Sequence, residues 1–252
     1  MSLSGISYLM RSRKIRCSAV VVAAGSGQRF GGDKMLCELL GTPILAYSLS
    51  VLQDCPYIYE IVVVAGEGNI KECAELCDKY GFDKVTKVVL GGATRVESAL
   101  SGACECSPES TLIAVHDGAR PLVTSDVVTK VIECAASHKA AVAAIPSRDT
   151  VKLAKGRKVA STPDRDKVFC IQTPQVFDPV ILKGALTNAL QTDLRVYDDA
   201  SAVEALGFDV YLSPGDEENI KITTPLDVKL AETILADRRE RFLAERRAAQ
   251  CE

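Results

Sequence analysis

Short apolar runs rich in β-branched residues recur along this chain, and they constrain its fold more than any other feature. They lie at Ala19–Val22, Ile61–Ala65, Val85–Leu90, Thr111–Val115, Ala141–Ile145 and Phe208–Leu212. Their residues are almost continuously apolar rather than alternating with polar ones, which is typical of strands buried on both faces. The sequence therefore predicts a parallel sheet with helices on each side.

Helical segments lie between these runs, and several carry residues that begin or end a helix. Thr94 and Glu97 have the spacing of a capping box, and Gly81 follows a helical pattern where a left-handed cap is common. The predicted helices lie at Pro43–Gln53, Asn69–Tyr80, Thr94–Cys106, Asp126–Ser137 and Thr224–Arg247. This alternation predicts the α/β class with a doubly wound, mostly parallel sheet.

Residues 146–172 interrupt the alternation. Two short strand-like pieces, Thr150–Leu153 and Lys158–Ser161, flank a polar turn around Gly156, which is the pattern of a β-hairpin. The segment is too polar to bury itself, so we expect it to project as an arm that packs on a second copy of the chain. The expected organisation is a flexible leader at 1–14, one domain at 15–247 with the arm at 146–172, and a flexible tail at 248–252.

Composition argues against several classes of function. The 30 basic and 33 acidic residues give a net charge of −3, so no nucleic-acid partner is expected. No apolar run approaches the roughly 20 residues that a membrane-spanning helix needs, so no membrane partner is expected. The ten cysteines form no Cys-x-x-Cys pair and there are only two histidines, which argues against a zinc site and a disulfide framework. We therefore expect a protein of the reducing cytoplasm.

A glycine-rich segment follows the first apolar run and is the strongest signal of ligand binding. Residues 20–34 read Val-Val-Val-Ala-Ala-Gly-Ser-Gly-Gln-Arg-Phe-Gly-Gly-Asp-Lys. Backbone N–H groups of such a loop can approach phosphate oxygens closely, and Arg29 and Lys34 add positive charge. Asp33 stands where the Walker pattern needs a glycine, and Phe30 occupies the third glycine position of the dinucleotide pattern. The loop therefore predicts a phosphate-bearing ligand that is bound by neither of these two patterns.

An acidic residue follows the fourth apolar run. Asp117 lies in the sequence Val-His-Asp-Gly-Ala-Arg-Pro, at the expected carboxyl end of a buried strand. Ligands bind at that edge in this class of fold, and a carboxylate beside a phosphate loop suits Mg²⁺. The alternative is that Asp117 only caps the following turn. His116 is interpreted as a structural residue.

Two further motifs carry polar or charged groups. A glycine pair ending at Gly92 precedes the predicted helix start at Thr94, and a helix N-terminus favours a polar ligand. Lys221 is a lone cation within Asn219–Thr223, which is interpreted as a short strand. Taken alone, this lysine is typical of surface charge.

Seven motifs of this kind occur in a fixed order over about residues 15–235. They are Ala23-Ala24-Gly25-x-Gly27-x-Arg29…Lys34, Gly91-Gly92…Arg95-x-x-Ser98, His116-Asp117-x-Ala119-Arg120-Pro121, Asp149-Thr150-x-Lys152, Thr173-Pro174-Gln175, Asp199-Ala200-Ser201 and Asn219-Ile220-Lys221. Together they resemble the 2-C-methyl-D-erythritol 4-phosphate cytidylyltransferases of the non-mevalonate isoprenoid pathway. The resemblance covers nearly the whole chain.

The resemblance implies a Rossmann-like nucleotidyltransferase that moves CMP from CTP to 2-C-methyl-D-erythritol 4-phosphate, giving 4-diphosphocytidyl-2-C-methyl-D-erythritol and pyrophosphate. It assigns CTP binding to Ala23, Ala24, Gly25, Arg29, Lys34, Gly92 and Ser98. It assigns catalysis to Lys34, Lys221 and Arg29, acceptor binding to Asp117, Arg120, Thr150, Arg165 and Thr173, and Mg²⁺ binding to Asp117. It also implies a homodimer whose arms carry Thr150 and Arg165 to the neighbouring site.

One position departs from the family pattern. The family usually has threonine directly before the Asp-Asp/Glu-Ala-Ser motif, and this chain has Tyr197 there. A bulkier phenol at that position would reshape an acceptor pocket, so the related ribitol-5-phosphate cytidylyltransferases remain an alternative.

The residues argue against two other classes of function. An NAD(P)-dependent dehydrogenase is disfavoured by Phe30 and by the lack of an acidic residue after Ile61–Ala65. A non-catalytic nucleotide-binding regulator is disfavoured because plain binding does not need the charged set Lys34, Asp117 and Lys221.

Overall fold

The computed structural model of the chain describes residues 15–25 and 33–249. In chain order the strands are β1 (Cys17–Ala23), β2 (Glu38–Leu39), β3 (Thr42–Pro43), β4 (Ile58–Ala65), β5 (Val85–Leu90), β6 (Leu112–Asp117), β7 (Ala140–Pro146), β8 (Leu153–Lys155), β9 (Lys158–Ser161), β10 (Phe169–Phe177) and β11 (Tyr211–Pro214). The helices are α1 (Ile44–Asp54), α2 (Ile70–Tyr80), α3 (Arg95–Glu105), α4 (Ser125–His138), α5 (Pro179–Gln191), α6 (Asp199–Ala205) and α7 (Pro225–Ala249). Helix α7 extends two residues into the predicted tail; the predicted leader and the rest of that tail lie outside the described residues.

The central sheet has seven strands in the order β11–β7–β10–β6–β1–β4–β5. Strand β1 pairs in parallel with both β4 and β6, and β10 runs antiparallel between β6 and β7. The chain therefore moves from β1 outward to β4 and β5 and then returns to the other side of β1. Ligands of open α/β sheets bind at the carboxyl ends of the strands beside such a switch point.

Alternate side chains of the strands enter two cores, one on each face of the sheet. Ala19, Val21 and Val63 pack in the core under α1, α2 and α4. Val20 and Val62 pack in the core under α3, α5 and α6. Burying one such valine stabilises the fold by about 1.5–3 kcal/mol relative to leaving it in water. The prediction of a doubly wound, mostly parallel sheet is confirmed.

The segment predicted as an arm is shorter than expected. Its hairpin begins at Leu153 rather than Thr150, and residues 169–172 belong to β10, where Phe169 pairs with Pro146 of β7. No apolar run marks β10, because Gln172, Thr173 and Gln175 in its buried part are polar and bond to neighbouring segments. The exposed hairpin β8–β9 is present, and its projection as an arm stays a prediction.

One other strand prediction has shifted bounds, and another is wrong. Strand β11 begins at Tyr211 rather than Phe208, and Asn219–Thr223 is not a strand. The N–H of Asn219 donates to the carbonyl of Asp216 at 3.0 Å, so the chain turns here. The apolar Ile222 gives this segment the sequence pattern of a strand, but its buried side chain packs beside α7.

The packing of α3 on the sheet can be tested at Gly102. A Cβ atom there would lie 2.6 Å from Cγ2 of Val64 and would also collide with Val20. We expect Gly102→Ala to lower the free energy of unfolding by about 1–3 kcal/mol, the usual effect of overpacking. Apart from the adjacent residues and backbone of its own helix, no atom of the described part of the chain lies within 4 Å of a Cβ atom at Gly184 in α5. Gly184→Ala should therefore raise the free energy of unfolding by about 0.5–1 kcal/mol. Urea unfolding measures both values, and equal effects of the two substitutions would contradict this packing.

Candidate active site

A pocket of about 310 Å³ opens at the carboxyl ends of β1 and β6. Four parts of the chain line it: the loop after β1, the N-terminal region of α3, the end of β6 and the segment before α7. Its lining includes Ala24, Gly25, Lys34, Gly92, Arg95, Ser98, Asp117, Ala119 and Lys221. The fold therefore brings together most of the residues that the resemblance assigned to the nucleotide and to catalysis.

The end of the glycine-rich segment is held by Asp33. Its Oδ1 accepts the N–H of Met35 at 2.9 Å, and its Oδ2 accepts Nδ2 of Asn69 at 2.7 Å. Asn69 is buried, and its own Oδ1 accepts the N–H of Gly66 at 2.8 Å. Lys34 lies between Asp33 and Met35, so the backbone of this pocket-lining lysine is tied to the turn after β4.

Asp117 is the electrostatic centre of the pocket. Its Oδ2 lies 2.8 Å from Nζ of Lys221, and its Oδ1 lies 3.4 Å from Nε of Arg95. Nε of Arg120 lies 3.7 Å from Oδ2. Burial opposes ionisation, but Arg95 and Lys221 outweigh it and hold the pKa of Asp117 well below its usual range. Asp117 is therefore an anion at neutral pH.

Arg95 is held by a second carboxylate. Its Nη1 and Nη2 donate to the two oxygens of Asp199 at 2.9 Å each, a bidentate pair. Asp199 is fully buried and is the first residue of α6, whose N-cap is Asp198. Gln175 of β10 fixes that helix start, because it donates to Asp198 at 2.8 Å and accepts the N–H of Ala200 at 3.0 Å. Arg95 therefore joins α3, β6 and α6.

A buried hydrogen-bond chain supports Asp117 from behind. Oγ1 of Thr173 accepts the N–H of Asp117 at 3.1 Å and lies 3.0 Å from Nδ1 of His116. Nε2 of His116 lies 3.3 Å from the carbonyl oxygen of Arg120. His116 is fully buried, and desolvation lowers its pKa to about 4. The ring is thus neutral and bonded at both nitrogens, which confirms its interpretation as a structural residue.

Gly92 and Ser98 meet at the start of α3. Oγ of Ser98 accepts the N–H of Gly92 at 3.2 Å and donates to the carbonyl of Thr94 at 2.9 Å. A Cβ atom at Gly92 would lie 2.8 Å from Oε2 of Glu97, whose carboxylate completes the predicted capping box with Thr94. A larger residue at position 92 would therefore disturb the helix start that forms one wall of the pocket.

Several predicted residues stand outside this pocket. Thr150 and Arg165 are exposed on the segment between β7 and β10 and do not line the described part of this pocket. Ala23 is buried at the end of β1, and Arg29 lies outside the described residues. Tyr197 is 78% exposed and lines a separate pocket beside Ile171. Its phenol does not line the described part of the Asp117 pocket.

Sequence reasoning assigned no role to Arg95, Asp199 or Gln175, although all three stand in the quoted motifs. Arg95 follows the capping-box threonine, and Asp199 opens the Asp-Ala-Ser motif. Those positions were a usable signal, but only the fold shows that the two side chains meet across 104 residues of sequence.

The sheet, the pocket at its switch point and the cations around Asp117 define a class of protein: a nucleotidyltransferase of Rossmann-like fold. Comparison with known proteins narrows the class. The family model described as "IspD: 2-C-methyl-D-erythritol 4-phosphate cytidylyltransferase" matches residues 17–237. The chain therefore belongs to this family, and it is a CTP-dependent cytidylyltransferase.

Individual relatives agree with the family match. The 2-C-methyl-D-erythritol 4-phosphate cytidylyltransferase of Halalkalibacterium halodurans is 40% identical over 226 residues, which cover 89% of this chain and 99% of the relative. The crystal structure of 4-diphosphocytidyl-2C-methyl-D-erythritol synthase from Anaerococcus prevotii is 32% identical, with a TM-score of 0.80 over 88% of this chain and 97% of that one. The enzyme of Thermus thermophilus is 30% identical, with a TM-score of 0.70 and shares of 87% and 98%.

These findings decide between the alternatives. The family, the fold class and cytidylyl transfer in isoprenoid biosynthesis, as the resemblance implied them, are confirmed. They favour methylerythritol phosphate over ribitol phosphate and leave the dehydrogenase and the regulator without support. Within residues 15–25 and 33–249, no helix is long and apolar enough to span a membrane. The same residues contain no cluster of three or more His, Cys, Asp or Glu side chains able to hold a metal ion.

The neutrality of His116 is testable. Because its folded pKa of about 4 lies below the ordinary value of 6.5, the unfolded chain takes up the proton first as the pH falls. As the pH falls from 6.5 to 4, this group alone should lower the free energy of unfolding by about 3 kcal/mol. Above pH 6.5 its contribution to stability should be fully present. In NMR titrations of the folded protein, the His116 ring should not titrate above pH 5. His138→Asn assigns the two histidine signals, and a His116 midpoint near 6.5 would contradict the buried chain.

Proposed function

We propose that this pocket transfers CMP from CTP to 2-C-methyl-D-erythritol 4-phosphate and releases pyrophosphate. The observation that carries the proposal is the charge arrangement at the end of β6. One buried carboxylate, Asp117, is contacted by Lys221, Arg95 and Arg120, and Lys34 lines the same pocket. Such a set suits a polyanionic nucleotide and a second phosphate that must approach it.

The reaction needs charge stabilisation rather than proton abstraction. An oxygen of the acceptor phosphate forms a bond to the α-phosphorus of CTP, and the bond from that phosphorus to the bridging oxygen breaks, so pyrophosphate leaves with the electron pair. The attacking phosphate is already an anion and needs no general base. We assign Lys34, Lys221 and Arg29 to the negative charge that builds up at the α-phosphate and the leaving group. Compact ammonium groups suit this role.

We assign nucleotide recognition to the walls of the pocket. Ala24, Gly25 and the N-terminal region of α3 leave the backbone accessible, and Gly92 with Ser98 forms the wall proposed to read the cytosine and ribose. Ala23 is assigned to the same ligand from the end of β1. Asp117, Arg120 and Thr173 are assigned to the acceptor side, where they form one connected group.

Mg²⁺ is the proposed cofactor, and the chain's residues fit it. Mg²⁺ is commonly bound by one or two carboxylates together with substrate phosphates and water, so a large protein cluster is not required. Within residues 15–25 and 33–249, the side chain of Asp117 has one short ion-pair contact, to Lys221, and two longer ones, to Arg95 and Arg120. A carboxylate with these contacts still has lone pairs for a metal. Bound there, the ion would neutralise triphosphate charge.

We further propose a homodimer with shared sites and a cytoplasmic location. Thr150 and Arg165 stand away from the pocket of their own chain, and Leu153 and Val159 expose apolar side chains on the hairpin. A second subunit that covers this hairpin would account for both observations. The cysteines that the structure describes are free thiols, which supports a reducing compartment.

The first test is pyrophosphate release with CTP, Mg²⁺ and each acceptor in turn. We expect release with 2-C-methyl-D-erythritol 4-phosphate, little with ribitol 5-phosphate, and none after chelation of divalent ions.

Lys34→Ala and Lys221→Ala should each lower kcat by about 10²-fold or more, the scale of losing one preorganised stabilising group. Lys229→Ala, on the exposed surface of α7, is the matched control and should keep wild-type turnover. Near-normal turnover in either active-site variant would remove that lysine from the mechanism.

The shared site predicts complementation between two impaired subunits. Arg165→Ala should raise the KM for the sugar phosphate much more than the KM for CTP, because arginine suits bidentate phosphate capture. Mixing Lys34→Ala with Arg165→Ala subunits should restore part of the activity, since one composite site in each mixed dimer keeps both residues. Subunit exchange is first verified with an independent label. Mixed dimers without activity, or an active monomer, would contradict the shared site.

A further inference from the structure

Lys221 stands on a segment without regular secondary structure. We call residues 215–224 the lysine loop; it lies between β11 and α7 and contains neither helix nor strand. Its lysine nevertheless approaches Asp117 to 2.8 Å. Because the loop lacks the regular backbone hydrogen bonds of a helix or strand, contacts with other parts of the fold must help to hold it in place.

The inner side of the lysine loop is bonded to the sheet. Gln172 of β10 donates to the carbonyl of Asp216 at 2.7 Å and accepts its N–H at 3.2 Å. Nδ2 of the fully buried Asn219 donates to the carbonyl of Thr173 at 3.0 Å. After the lysine, the N–H of Ile222 donates to the carbonyl of Ala119 at 2.8 Å.

The outer side of the lysine loop is bonded to α7. Nε of Arg238 donates to one oxygen of Glu218 at 2.7 Å, and Nη2 of Arg241 donates to the other oxygen at 3.0 Å. Nη2 of Arg238 also lies 3.7 Å from Oδ2 of Asp216. Both oxygens of Glu218 are therefore engaged, and Glu218 lies only three residues before Lys221.

The two sides meet in one compact turn. The N–H of Glu218 donates to Oδ1 of Asp216 at 2.8 Å, and the N–H of Ile220 donates to the carbonyl of Glu218 at 2.8 Å. A displacement of Glu218 therefore moves the backbone that leads directly into Lys221. Nothing comparable anchors Glu217, whose described partner is the exposed Arg148.

We propose that Arg238 and Arg241 are positioning residues for Lys221: from α7 they hold Glu218 and thereby set the lysine at the pocket. This inference rests on the proposed catalytic role of Lys221. Both arginines lie just beyond residues 17–237, the part of the chain that matches the family. The C-terminal end of this chain thus takes part in arranging its active site.

The solvent exposure of these side chains distinguishes a role in positioning Lys221 from a role in stabilising the fold. The side chains of Arg238 and Glu218 are 26% and 34% exposed, and that of Arg241 is 59% exposed. Ion pairs with this much solvent contact add little to folding stability. Their loss should therefore change the placement of Lys221 more than the melting temperature of the protein.

The experiment compares Arg238→Ala, Arg241→Ala and the double variant with Arg239→Ala. Arg239 carries the same charge on the same helix, is exposed, and lies next to Arg238. We expect the double variant to lower kcat about 3- to 10-fold with the KM for CTP changed less, and the control to keep wild-type kcat. The melting temperatures of all four should agree within about 3 °C. Glu218→Gln tests the same contact from the loop and should lower kcat in the same direction.

Epistasis identifies the residue through which the arginines act. In a Lys221→Ala background, the double variant should lower kcat no further, because the side chain to be positioned is gone. Wild-type kcat in the double variant, or an equal loss of kcat in the Lys221→Ala background, would overturn the inference. Failure of the proposed function itself is distinct, since the wild-type enzyme would then release no pyrophosphate with CTP and methylerythritol phosphate.

Discussion

The rest of the site depends on one buried carboxylate. Asp117 has lost most of its contact with water, and an anion in that position is stable only beside cations. Each cation must in turn be held by other groups. Arg95 is held by Asp199, Arg120 donates to the carbonyl of Asn219 at 2.7 Å, and Lys221 is held by its loop. The placement of α3, of α6 and of the segment before α7 is thus coupled to the neutralisation of one aspartate.

This coupling also suits the proposed chemistry. Cations already fixed around Asp117 need no reorganisation when a triphosphate enters the pocket, and preorganised groups stabilise developing charge better than mobile ones. The neutral His116 fits the same picture, because another positive charge beside Arg120 would disturb the balance around the carboxylate. The switch point of the sheet supplies the space, and the charged groups supply the positive charge that the proposed phosphate ligands need.

The sequence predicted the strands and helix starts that depend on local residue patterns. It did not predict the contacts between residues that lie far apart in the chain. Apolar runs located most strands because buried parallel strands are almost uniformly apolar, and the Thr94–Glu97 spacing located a helix start. Strand β10 escaped because Gln172, Thr173 and Gln175 are polar, and only partners elsewhere in the chain make their burial possible. The Arg95–Asp199 pair could not be inferred from spacing either. The motif residues were assigned through the resemblance, and geometry explains why they belong together.

The order of the structural elements along the chain has a consequence for how the active site assembles during synthesis. Asp117 lies in the first half of the sequence, whereas Lys221 and α7 come from its last 32 residues, counting Lys221 to Glu252. A polypeptide still attached to the ribosome can therefore assemble most of the sheet while its final helix has not emerged. At that stage the carboxylate lacks its nearest cation and the pocket lacks one wall. The arrangement of cations proposed for catalysis is therefore complete only when residues 221–249 have packed against the sheet, and until then Glu218 lacks the arginines of α7 that hold the lysine loop.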